Sequence, residues 1–188
     1  MATSKVQVCS NALLLLGQNT IASFSENSDR AVIASNLWDN SRKAVIRSHP
    51  WNCCISRVAL APDSVAPAFD WTYQFTLPGD CLRVLSVGQD GDVPEYKLEG
   101  RKLLIDDNPA YLRYLADNED VASWDSQLVE VMTRYMAFSM AYALTKSTSL
   151  RDSMYQEFTL LLKQAKSVDG QEDTPDEVGD FPFLAARR

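Results

Sequence analysis

HPWNCCISRVALA, residues 49–61, is the stretch in which the apolar period of the chain changes. Before it, apolar residues recur at helical spacing; beyond it, from about Phe69, they roughly alternate. Pro50 disfavours helical geometry at the residue before it, so a helix is expected to stop at His49. Trp51 then reads as an aromatic anchor at the joint. Cys53 and Cys54 read as small residues leading into Ile55, Val58 and Leu60. His49, Pro50 and Trp51 are therefore expected to form a structural joint between a helical part and a β-rich part.

The same stretch holds the one histidine and two of the four cysteines of the chain. These residue types carry nucleophilic and metal chemistry, so that reading has to be weighed. His49 lies four residues before Cys53, but Pro50 breaks the helical face on which such a pair would meet. No C-x-x-C and no second Cys/His pair completes a zinc set. A histidine at a helix C-terminus has a simpler use, since positive charge is favourable there. The expectation is no catalytic residue, no metal ligand and no cofactor. The alternative is a small cysteine-dependent enzyme using Cys53 or Cys54 with His49. A soluble assembly chaperone is a third reading.

Toward the N-terminus, residues 4–16 read as a helix. Val6, Cys9, Leu13 and Leu16 make one stripe, Ser4 can cap the start, and Gly17 supplies the left-handed residue past the end. A second helix starts at Ser28 or Asp29 and runs to Arg47. Ala34, Trp38 and Val45 share its inner face. Asp39, Arg42 and Lys43 are expected to face water. Arg42, Lys43 and Arg47 are the cations that could touch phosphate, and a solvated face is the preferred reading.

Toward the C-terminus, residues 69–115 carry strand signals punctuated by turn residues. DWTYQFTLP and CLRVLSV read as strands. EYKLEGRKLLID reads as two short strands around Glu99-Gly100. AYLRYLA places Tyr111, Arg113 and Leu115 on one side. GQDGDVPE brings Asp90, Asp92 and Glu95 together, but it lacks the rest of a calcium loop and reads as a hairpin turn. Helical spacing returns near Ser123. That helix is apolar almost all round, as expected of a central one. Ser149 with Asp152 fits a cap for a fourth helix, whose stripe is Leu150, Met154, Phe158, Leu161, Ala165 and Val168.

The fold expected is mainly α with a β-rich insertion (α+β). It is a four-helix bundle with a protruding antiparallel β subdomain and an extended C-terminal tail. Residues 1–50 and 118–168 would form the bundle, 51–117 the insertion and 169–188 an acidic tail.

Composition narrows the partners. Hydrophobic residues make up 46% of the chain and charged residues 23%, enough apolar material for a real core. The net charge is −7. From Asp169 onward the chain has six acids against two arginines, so a net −4 lies in the tail and only −3 in the body. An acidic balance argues against tight, non-specific nucleic-acid binding. No run approaches the roughly 18 apolar residues of a membrane span. MATSKVQVCSN has no basic segment followed by an apolar one, so no secretory signal and a reducing compartment are expected. The phosphate-loop, dinucleotide and nucleophile-elbow motifs are absent.

ALLLLG, RSHPWN with RVALA, WTYQFTLPGDCLRVLSV, YKLEGRKLLID and YMAFSMAYALT follow one another in this order. Over residues 4–170 the chain resembles the tail tubular protein A family of short-tailed bacteriophages, the head-to-tail adaptors. The more specific pieces are PWN and LPGDCLRVLSV together with EGRKLLID. The resemblance implies a virion structural protein at the head–tail interface, assembled in the host cytoplasm. It implies a ring, generally of twelve copies, between the portal protein and the tail nozzle (tail tubular protein B). DNA would pass through the ring without specific binding, and no membrane is involved. By position, the portal contact falls on Phe181, Phe183, Leu184, Arg187 and Arg188.

Overall fold

Helix formation begins where the sequence supplies caps. Ser4 accepts a hydrogen bond from the amide of Gln7 at 3.2 Å, and α1 spans Lys5–Leu15. Gly17 follows at φ +67, the left-handed region open to glycine, while the Gln18 amide returns to the Leu13 carbonyl at 2.9 Å. Ser28 caps α2, Asp29–Arg47, through the Ala31 amide at 3.3 Å. The computed structural model describes residues 4–89 and 94–172.

Beyond a short 3₁₀ turn at Asn52–Cys54, six strands follow: β1 Ile55–Leu60, β2 Tyr73–Thr76, β3 Cys81–Val87, β4 Tyr96–Glu99, β5 Lys102–Ile105 and β6 Ala110–Ala116. They form two antiparallel three-stranded sheets, ordered β1-β6-β3 and β2-β5-β4. The β4–β5 hairpin turns at Gly100, which sits at φ +60. A second 3₁₀ turn at Val121–Ser123 leads to α3, Ser126–Thr145, and α4, Thr148–Glu172. The described residues are thus a mixed α+β protein with four α-helices.

α3 is the helix the others pack on: α1, α2 and α4 each contact it. Leu128, Val131, Met132, Met136, Ala137, Met140 and Ala141 are all fully buried, as expected for a helix apolar on nearly all sides. Tyr142, in the last turn of α3, emerges half-exposed. Trp38 of α2 stacks on Trp124 just before α3, with ring centroids 6.2 Å apart and planes within 8°.

A second apolar core lies in the β part. It is built from Phe75, Cys81, Val87, Leu103, Ile105, Ala110, Leu112, Tyr114 and Ala116. β6 serves both cores. Ala110, Leu112, Tyr114 and Ala116 belong to the β core, while Leu115, on the opposite face, belongs to the helical one. The period of two in AYLRYLA therefore links the two halves of the molecule.

Two details differ from the sequence reading. The cap of α4 is Ser147, whose hydroxyl accepts from the Leu150 amide at 3.2 Å, rather than Ser149. The left-handed Lys146 (φ 56) turns the chain so tightly that the next helix opens two residues earlier. α4 also continues through residues 169–172, which the loss of apolar spacing after Lys166 had assigned to the tail. No described helix is long and apolar enough to cross a membrane.

Candidate functional site

The residues of HPWNCC converge at the joint where α2 ends, β1 begins and α4 finishes. Ser48 starts the turn by donating to the Val45 carbonyl at 2.7 Å. Trp51 is fully buried, and its indole N–H donates to the same Val45 carbonyl at 3.3 Å. The His49 ring meets Trp51 edge-on, 4.9 Å between centroids. The structure places His49, Pro50 and Trp51 at the junction of helix and sheet.

Asp169 closes this joint from the far end of the chain. It is 5% exposed, one helical turn before the end of α4. One carboxylate oxygen lies 2.8 Å from His49 Nε2. The other accepts from the Asn52 amide at 3.1 Å. The Asn52 side-chain amide donates to the Asp169 carbonyl at 3.0 Å. Sequence reading counted Asp169 only as the first acid of the tail. The one signal available in advance was its i+4 spacing from Ala165, which puts it on the buried side of α4.

A second clamp lies beside the first. Arg42 is not on a solvated face: it is 3% exposed. Its Nε and Nη2 donate to the two oxygens of Asp117 at 2.8 and 2.9 Å, the bidentate geometry to which a guanidinium is suited. Nη1 reaches Asp39 at 2.7 Å and Nη2 reaches Glu119 at 3.0 Å. The hydrogen bonds to Asp117 raise the Arg42 pKa further, holding it charged. The expected water-facing position fails because the chain leaving β6 brings two carboxylates, Asp117 and Glu119, which together with Asp39 of α2 itself surround the guanidinium. Lys43, 3.8 Å from Asp117 and half-exposed, does remain at the surface. Arg47 donates to the Leu82 carbonyl, joining the end of α2 to β3.

Asn118 ties both clamps together. Its side-chain amide donates to the Cys53 carbonyl at 3.0 Å, and its own carbonyl accepts from Trp124 Nε1 at 3.1 Å. Cys53 and Cys54 line a surface cavity of about 390 Å³ with Asp80, Asp117, Asn118 and Glu119. The two sulfurs are 3.8 Å apart. The hydrogen bond from Cys54 lowers the Cys53 pKa to about 7, and the same bond raises that of Cys54. Burial pushes the Cys9 thiol up to about 12 and raises Cys81 as well. Among the described residues, no hydrogen bond joins His49 to either thiol. No group of three or more His, Cys, Asp or Glu is placed to hold a metal ion among them.

Phe181, Phe183, Leu184, Arg187 and Arg188 lie outside the described residues, as do Asp90 and Asp92. The contacts of Asp169 hold the last turn of α4 against His49 and Asn52, just before the β part begins. No known protein-family model and no curated protein matches this chain.

Proposed function

We propose that this chain is a structural head-to-tail adaptor of a short-tailed phage virion. In this reading a four-helix bundle carries a projecting β part and a C-terminal tail. Copies close into a ring, generally of twelve, between the portal and the tail nozzle. DNA passes through the ring without sequence-specific contact. The tail tip, Phe181, Phe183, Leu184, Arg187 and Arg188, docks on the portal. The chain catalyses no reaction in this role.

The observation that supports the reading is the Asp169 clamp. A tail that must find a partner gains from a rigid root, because fixing one end lowers the ordering entropy lost on docking. Here Asp169 is fastened to His49 and Asn52, and the acidic segment begins one helical turn later. Apolar side chains left on the surface, among them Leu14, Phe69, Tyr155 and Leu160, are the raw material for lateral contacts. The motif order described above points the same way. Electron microscopy of the purified chain mixed with portal tests it: a ring seated on the portal is expected. Tail complexes lacking any ring of this chain between portal and nozzle would refute it.

A further inference from the structure

Within an acidic protein, one face of the β1-β6-β3 sheet gathers arginines. Val58 and Leu60 pack into the β core, so Arg57 and Ala59 point to the other side. Leu112 and Tyr114 likewise point inward, leaving Tyr111 and Arg113 outward. Arg57 is the direct cross-strand partner of Arg113, and Arg113 is paired in turn with Ser86. Arg83 stands one pair closer to the helices, opposite Leu115 and on the same face. Arg57, Ser86, Gln89, Tyr111 and Arg113 line an open groove of about 550 Å³.

Like charges set directly opposite on neighbouring strands are destabilising. Arg113 is half-buried and takes part in contacts of its own. Arg57 and Arg83 form no ion pair with any described residue. Such a face is suited to an anionic strand of protein, which guanidinium groups bind through paired hydrogen bonds.

We infer that the occupant is the chain's own segment 173–180, whose acids Asp173, Asp176, Glu177 and Asp180 meet the groove of Arg57 and Arg113 and, beside it on the same face, Arg83. Two observations favour this source over a foreign polyanion. The first is charge: the body is close to balanced, and the complementary acids are concentrated in that segment. The second is reach. Asp169 is bonded to Asn52, five residues before Arg57. The path from Asn52 to Arg57, a 3₁₀ turn and the first residues of β1, spans at most about 16 Å, and the eight residues 173–180 extend to about 26 Å. A tether of that length gives an effective concentration on the order of millimolar, which weak ion pairs can use. The contact belongs to the isolated chain and stands without the adaptor reading. Its use, holding the tail close until a partner takes the tip, rests on that reading.

Full-length Arg57→Lys and Arg83→Lys chains test this. Each keeps its charge and gains an amine at the site. A water-soluble carbodiimide joins that amine to a touching carboxylate: an amide forms, and the carbodiimide takes up the water as a urea. Mass spectrometry locates the linked peptides in an equal mixture of light and ¹⁵N-labelled protein. The expected result is a link from position 57 or 83 to Asp173–Asp180 within one isotope form. It should fall severalfold at about 1 M salt, where screening acts over about 3 Å. Links to Asp90 or Asp92 in place of the tail would overturn the inference. So would mixed-isotope links, tail links spread evenly over all lysines, or no link at all. A positive link with no docking on portal would leave this contact standing and remove only the adaptor reading. If instead an added single-stranded oligonucleotide displaced the tail at equal charge concentration, the groove would be a nucleic-acid site and the inference would fail.

Discussion

At Trp51, the ring is fully buried and its N–H is satisfied by the Val45 carbonyl. Replacing it with alanine leaves a cavity at the joint, while the Val45 carbonyl keeps its bond from Ser48. Trp51→Ala is expected to cost about 3–5 kcal/mol, measured by chemical denaturation. Asp117 is the partner that neutralises Arg42 most directly. Asp117→Ala strands a buried guanidinium, but Asp39 and Glu119 still reach it. The loss should therefore lie at the low end of the roughly 3–5 kcal/mol of a broken buried pair. Lys43→Ala, which removes a long, half-exposed contact, should cost under about 0.5 kcal/mol by the same assay. The thiols differ in a way that titration can read. Cys53, lowered to about 7, ionises as pH rises through neutrality, whereas Cys54 and Cys9 stay protonated. Alkylation at Cys53 should accelerate between about pH 6 and 8 and level off above that. Cys54→Ala removes the stabilising hydrogen bond, so the Cys53 rate at pH 7 should fall. A Cys53 rate flat across this range would show that the pair does not share its proton. Turnover of any substrate that depended on Cys53 would favour the enzyme reading.

Among the elements, α4 has an apolar stripe that ends before the helix does. Met154 and Ala165 are buried, Phe158 and Leu161 pack against the core, and Val168 is already exposed. The last turn is held instead by the polar contacts of Asp169. Hydrogen bonds to a charged group contribute about 1.5–3 kcal/mol. Asp169→Ala should therefore fray residues 169–172, seen as faster amide exchange there, while α3 stays protected. Unchanged exchange would mean the turn is stable without its clamp. β6 shows the opposite economy. One strand of seven residues gives alternate side chains to two cores, so a change at Leu115 weakens the helix side and a change at Leu112 weakens the sheet side.

For the molecule as a whole, the root and the tip of the tail separate. Removing residues 173–188 leaves the Asp169 clamp intact. That chain should keep the melting temperature of the full protein and lose docking on portal. Removing 169–188 should also lower the melting temperature, since the clamp goes with it. Docking retained by the shorter chain would place the portal contact elsewhere.

The sequence by itself determined the order and type of most elements, though not β1, which precedes the strand signals at 69–115. Periods of 3.6 and 2, together with serine caps and turn glycines, are local properties, and they located α1, α2, β3 and β6 to within a residue or two and the start of α3 to within three. It also marked HPWNCC as a joint, because a proline stop is local. Tertiary structure alone decided how charged groups are used. Arg42 carries no mark of burial in its neighbours along the chain, and Asp169 carries only its spacing from Ala165. Their partners lie 75 and about 120 positions away, at Asp117 and at His49 and Asn52. A charged side chain enters a protein interior only when folding brings its counter-charge or hydrogen bonds to the same place, and that convergence is a property of the fold rather than of any window of sequence.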